Sequence, residues 1–237
     1  MHTDYTVRES SRAKHVRFRI SPSDGLIVVV PVGFDQRRIP GLIDNKRRWI
    51  ERALKQVEEH QAARGPSDER PEAINLRAIG RTWRLEWVAG ICSKVTADEI
   101  GPDILRITGT IEAPAMWRPT LRRWLIGQGR EYLIPWAARL AAELGVTFGH
   151  VSIRCQKTRW GSYSTKTCAV SLNVQLLFLP ERLARFVLVH ELCHIRYPNH
   201  SLAFWDLVRS HEPDTDRLRA ELRAAWKYVP GWLAYGP

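Results

Sequence analysis

An α+β fold is the class this sequence predicts, and three observations carry it. Short apolar runs broken by glycine and proline fill residues 1–112, the pattern of strands and turns. Tryptophan, leucine and tyrosine then recur at helical spacing from Trp117 to Leu144. Finally, an apolar stretch between Arg185 and Ser201 contains His190-Glu191-Leu192-Cys193-His194. The expected organisation is a β-rich N-terminal domain over residues 1–112 and a catalytic half of helices and strands over residues 113–237.

The N-terminal elements follow from local pattern. Val16–Ile20 alternates apolar and charged residues, as a half-buried strand does, and Ser21–Gly25 has turn chemistry. Leu26–Val32 returns as a more buried strand and closes a hairpin. From Asp35 onward, Leu42, Ile43, Trp49, Ile50, Ala53, Leu54 and Val57 mark an apolar helical stripe. Pro40-Gly41 should separate its beginning as a turn, giving a helical hairpin or a bent helix. Lys46-Arg47-Arg48 reads as a solvated face of that helix. Residues 64–73 are polar and proline-containing, hence a surface loop. Strand-like pieces follow at Asn75–Gly80, Thr82–Ala89, Ser93–Ala97 and Ile104–Gly109, punctuated by glycines.

In the second half, the helix from Trp117 to Leu144 contains Pro135, which should kink or divide it. Val151–Arg154 and Cys168–Leu176 read as two strands joined by Gln156–Thr167. Pro180 can open the next helix, with Glu181 favouring the positive end of its dipole. Leu183, Phe186, Val187 and Leu188 give that helix a side to bury. Tyr197-Pro198 should end it, because the residue before proline is pushed out of the α region. Asn199 or Ser201 can cap a short helix, and a last helix is expected from Pro213 to about Tyr228.

The chemistry resides in the 190–200 segment. Four residues turn a helix by about 400°, so His190 and His194 stand on one face and can share one Zn²⁺ at about 2.0–2.1 Å. Glu191 can then reach a water without coordinating the metal. This is the HExxH pattern of two ligands and a general base. A glutamate on so apolar a helix is costly to bury without a purpose. His200 offers a third nitrogen six residues after His194. Three protein ligands leave one position open, as catalytic zinc sites do. The spacing equals that of metzincins, which place glycine where this chain has Tyr197. Tyr197 before Pro198 must be extended, so the loop is built differently and a metzincin is not expected.

A long helix, strands and then the HExxH helix are the parts of a zincin-like catalytic half. There an edge strand beside the metal can pair with an extended peptide, and Cys168–Asn173 is the expected edge strand. Arg159, Trp160, Gly161 and Ser162 lie just before it. They are expected to line the substrate cleft or to form a loop anchored by one buried aromatic.

Composition bounds the partners. With 44% hydrophobic and 26% charged residues the chain is globular. Its formal charge of +11, mostly arginine and spread along the chain, fits either a solvated basic surface or attraction to nucleic acid or nucleotides. Cys92, Cys155, Cys168 and Cys193 form no CxxC pair. The N-terminus lacks a signal-peptide core, and no apolar run approaches the ~20 residues needed to cross a bilayer. A cytoplasmic protein with reduced thiols and no membrane contact is expected.

Several of these residues carry a resemblance. The segments Arg159–Ser164, Ser171–Asn173, Leu179–Leu183, Val189–His194 and Pro198–Trp205 resemble the YgjP-like family of predicted zinc metallopeptidases. Arg12–Lys14, the strand ending in Val30-Pro31, and Lys46–Ile50 extend the similarity over about residues 8–228. The resemblance implies one zinc held by His190, His194 and His200, with Glu191 as catalytic base. Tyr163 stands where the family usually has cysteine, so no catalytic or ligand role is expected there.

The expected activity is that of a zinc metalloendopeptidase acting on peptide or protein. Glu191 takes the proton of a zinc-bound water as it attacks, then passes it to the leaving group. Asp206, Asp214 and Asp216 are candidate acceptors to orient the imidazoles. A zinc hydrolase of nucleotide phosphoanhydrides is an alternative, in which arginines would hold the phosphates, although no P-loop is present. A basic nucleic-acid-binding module with structural zinc is another. Glu191 and the absence of a fourth protein ligand count against it.

Overall fold

Most of the alternating Val16–Ile20 segment, from Arg17 on, forms a strand in a computed structural model of the chain. The structure describes residues 4–21, 25–63, 68–90, 94–156 and 159–234. Turn residues 22–24, loop residues 64–67, Cys92, Ser93, residues 157–158 and the Val57 side chain lie outside the described residues.

The chain divides into two compact units, Met1–Gly65 and Pro66–Pro237. In the first, β1 (Tyr5–Ser10), β2 (Arg17–Ser21) and β3 (Gly25–Pro31) make a sheet in the order β1-β3-β2. The expected hairpin is β2–β3, and β1 adds a parallel strand on the other side of β3. A single helical turn, Gln36–Arg38, follows, with the Asp35 carboxylate accepting from the Arg37 N–H at 3.1 Å. Then comes α1 (Ile39–Ala63). Leu26, Val28 and Val30 from β3 bury against Ile39, Ile43 and Ile50 of α1, a period of two meeting a period near 3.6. The expected helical hairpin is thus one helix. Pro40 is its second residue, where a missing N–H breaks no intrahelical bond.

The second unit begins with a four-stranded sheet ordered β4-β5-β7-β6: β4 (Ala73–Leu76), β5 (Arg81–Ala89), β6 (Thr96–Gly101) and β7 (Ile104–Gly109). The strand expected over Asn75–Gly80 stops at Leu76, because Arg77–Ile79 turn and Gly80 adopts a φ of 64°. Against this sheet lies α2 (Pro114–Leu144), which Pro135 does not divide. Trp83 meets Trp124 and Trp87 meets Trp117 edge to face, with centroids 5.2 and 5.4 Å apart. Ile74, Trp83, Leu105 and Ile107 therefore belong to one continuous core with Trp117, Leu121 and the helices beyond. That shared core is why the division falls at 65/66, not at the 112/113 boundary that strand content suggests.

A second sheet follows α2: β8 (His150–Arg154), β9 (Gly161–Ser164) and β10 (Ala169–Asn173), in the order β8-β10-β9. The edge expected at Cys168–Asn173 is paired on both sides. Within Cys168–Asn173, Ala169–Asn173 forms the central strand β10, and the edges are β8, parallel to it, and β9, antiparallel to it. Four helices complete the unit: α3 (Glu181–Cys193), α4 (Leu202–His211), α5 (Thr215–Arg223) and the short α6 (Gly231–Ala234). Helix α3 ends before the expected Tyr197, and the expected last helix stops at Arg223, a further turn spanning Ala225–Tyr228. No described helix is long and apolar enough to cross a membrane.

Candidate metal centre and its cleft

The site is assembled where α3 leaves the core. From Leu183 to Val189 the helix is buried almost without interruption, apart from Arg185. Arg185 reaches outward to Glu212 at 2.7 Å. At the last turn His190 and Glu191 point to an opening, and His194 caps the helix.

The His194 Nδ1–H donates to the Tyr197 carbonyl at 3.1 Å, which leaves the Nε2 lone pair free. The chain then runs through Pro198 to Ser201, whose hydroxyl caps α4 by accepting from the Phe204 N–H at 3.3 Å. This short turn returns His200 to His190, their Nε2 atoms 3.1 Å apart. One nitrogen from each of the three histidines lies within 4.8 Å of the others. Phe204 is the seat beneath them. Its ring stacks on His194 at 4.6 Å and meets His190 and His200 edge-on at 5.0 and 4.9 Å. Trp205 stacks on His200 at 5.6 Å, and the Arg219 guanidinium covers the outer face of Trp205 at 4.0 Å.

These residues fit a zinc ion. Tetrahedral arms of about 2.0–2.1 Å put ligand nitrogens roughly 3.3 Å apart, close to the His190–His200 separation. Burial pulls the His190 pKa down to about 3, with His194 and His200 adding to the effect. His194 is also lowered, first by burial. Neutral imidazoles are the form that donates a lone pair.

Glu191 has the opposite shift from the same cause. It is 8% exposed, and burial pushes its carboxyl up to about 7 against the pull of Arg159. Gly161, at the start of β9, lies against it. A Cβ there would sit 2.6 Å from the Glu191 Cγ and 2.9 Å from its carboxyl carbon, so only glycine lets backbone and carboxyl approach this closely. The approach is fixed by Asn173, which is fully buried. Its side-chain NH₂ donates to the carbonyls of Gln156 at 2.8 Å and Arg159 at 2.9 Å. Its backbone N–H donates to the Trp160 carbonyl at 2.9 Å. Trp160 in turn stacks on Trp226 at 3.9 Å.

A cleft of about 700 Å³ opens over His190, Glu191 and His200. Arg159, Trp160 and Gly161 lie along it. Ser162 does not; it faces Ser171 within the β9–β10 ladder. Sequence reasoning missed the other wall, formed by Arg219, Leu222, Arg223 and Trp226. Helix α5 is tied to α3 through Arg182 and Glu221 at 2.5 Å. The expected aspartate acceptors are engaged elsewhere or do not cap: Asp206 pairs with Arg209, Asp216 pairs with Arg219, and Asp214 makes no side-chain capping bond at the start of α5. A backbone carbonyl takes the orienting role instead. Cys193 is fully buried, and burial pushes its thiol up to about 12, consistent with packing.

A family model described as YgjP-like, metallopeptidase domain, matches residues 14–225. The chain belongs to the YgjP-like family. Such a domain implies a metal, and the cluster of His190, His194 and His200 is where this YgjP-like chain can hold it. Among solved structures it is similar to the metallopeptidase zymogen jannalysin of Methanocaldococcus jannaschii, with 22% identity over 36% of this chain and 88% of that one, at a TM-score of 0.34. It is also similar to the zymogen abylysin of Pyrococcus abyssi, with 25% identity over 36% and 87% and the same TM-score. A search of curated proteins gives no match.

Two predictions follow from the packing around Glu191. Gly161→Ala should displace the carboxyl while leaving fold and metal content intact. Activity should fall about 10²-fold, the cost of an ångström-scale misplacement. Unchanged activity in a kinetic assay, with zinc content measured alongside, would refute the contact's importance. The second concerns pH. In metal-free protein the Glu191 carboxyl titrates near 4.5 when unfolded and about 7 when folded. The folded state therefore keeps a proton that the unfolded state loses, and stability falls as pH rises across that window. Glu191→Gln removes this term. In urea unfolding of the metal-free proteins, the variant should gain on the parent by up to about 3 kcal/mol between pH 5 and 8. A pH-independent difference would show that the carboxyl is not so buried.

Proposed function

We propose that this YgjP-like chain is a zinc-dependent metalloendopeptidase. The observation that carries this reading is the convergence of three imidazole nitrogens beside a buried carboxyl, on a cleft bordered by an edge strand. His190, His194 and His200 hold the metal. Zinc bound there supplies Lewis acidity, lowering the pKa of a water and polarising a carbonyl oxygen. Glu191, held against Gly161, accepts the proton of the attacking water and delivers it to the leaving amine. The free side of β9 offers backbone N–H and C=O groups with which an extended peptide can pair, and a peptide running along an edge can continue past the cut in both directions. Trp160, packed on Trp226, keeps that strand at the depth of the carboxyl.

The test is a chelator-stripped protein, reloaded with zinc and assayed against peptide mixtures and nucleoside triphosphates. Zinc should restore peptide cleavage, and His190→Ala, His194→Ala and His200→Ala should each abolish it and weaken zinc binding by more than the 10–100-fold typical of losing an outer-sphere partner. Zinc-dependent phosphate release without peptide cleavage would overturn the reading. Full zinc affinity in His200→Ala would overturn the ligand set.

A further inference from the structure

The charge in the cleft is strongly one-sided. Arg159 enters from the connection before β9, and Arg219 and Arg223 enter from α5, four residues and so one helical turn apart. Among the described residues the one acidic side chain lining the cleft is Glu191, buried at its floor. Among the described residues the Arg159 and Arg223 side chains make no hydrogen bond or ion pair, and both residues are exposed. Arg219 has its guanidinium over Trp205 and a loose 3.6 Å pair with the exposed Asp216, which lies outside the cleft. Such an exposed pair adds little and leaves donors for a ligand. Among the described residues the remaining walls, Trp160, Trp226 and Leu222, are apolar, so the cleft carries an excess of positive charge.

Guanidinium forks facing a partly desolvated cleft match carboxylates in geometry as well as charge. Building on the metallopeptidase reading, we infer that Arg159, Arg219 and Arg223 select acidic peptides, with aspartate or glutamate side chains flanking the bond to be cut. The aromatic surfaces hold the apolar parts of the same segment. Arg223 is a specificity residue with no part in holding metal or moving protons.

The probe is a mixture of short random-sequence peptides, cut by the zinc-loaded chain, with cleavage positions read by mass spectrometry. A well-cut sequence is then compared with counterparts in which each acidic residue is replaced by its amide or by lysine. Aspartate and glutamate should be enriched around the cuts. The acidic peptide should exceed its amide counterpart in kcat/KM by at least about tenfold, mostly through KM, as for a charge-assisted contact. Arg223→Glu should remove that advantage and improve the lysine counterpart, with the fold and zinc content unchanged. A binding arm uses zinc-loaded Glu191→Gln and the labelled acidic and amide peptides. Fluorescence anisotropy should show tighter binding of the acidic form, weakening with salt. Equal cleavage and equal binding of the two forms overturns the inference and leaves the peptidase reading standing. Failure to cut any peptide counts against the peptidase reading instead, and the binding arm, which needs no turnover, still decides the inference.

Discussion

Burial of α3 is the constraint on which the rest of the second unit depends. Its 13 residues are packed on almost every side, by the long helix α2, by the second sheet and by Phe204 of α4. An ionisable group in such surroundings is expensive unless the environment suits its neutral form. The same desolvation acts with opposite sign on base and acid, stripping the proton from His190 and holding one on Glu191 in the metal-free chain. Neutral imidazoles can take a metal, and a carboxyl poised to exchange a proton can serve the water beside it. One physical cause prepares both groups, and it operates because the helix is buried up to its last turn and open there.

The backbone completes what burial begins. Asn173 ends β10 by turning its amide into the preceding connection, so three hydrogen bonds hold Gln156, Arg159 and Trp160. Its side-chain oxygen also accepts from the Gln175 N–H at 3.1 Å, starting the helical turn that leads into α3. A single buried side chain therefore couples the strand that approaches Glu191 to the segment that delivers the helix carrying it. Gly161 is the point of contact. On the far side, α5 closes the cleft through its ion pair to α3.

Local chemistry was legible in the sequence. The spacing of His190 and His194, Pro180 before the helix, Ser201 as a cap and the return of His200 are all dictated within a few residues. Long-range pairing was not. The Gly161–Ser164 segment, rich in glycine and serine, has little intrinsic strand tendency and becomes β9 only because β10 offers it a partner. Cys168–Asn173, with its Val and Leu, looks like a strand but gives no sign of whether one or both of its edges are paired. The boundary at 65/66 was hidden for a similar reason, since periodicity marks which residues are buried but not which partner buries them. The tryptophans of α2 take the four-stranded sheet β4-β5-β7-β6 into their core. The cleft wall on α5 escaped notice because arginines on an amphipathic helix look like any solvated face, and the acceptor for His194 is a carbonyl that every residue possesses.

The central claim is that Glu191 moves the proton while the histidines hold the metal. Its most direct test is the turnover of zinc-loaded Glu191→Gln on a peptide that the parent chain cuts, with zinc content measured in the same sample. The amide keeps the shape and hydrogen-bonding capacity of the side chain but cannot accept a proton from water. Zinc should remain at one ion per chain, and kcat should fall by at least the 10²–10⁴-fold typical of a lost general base. Parental turnover in a fully zinc-loaded variant would contradict the account.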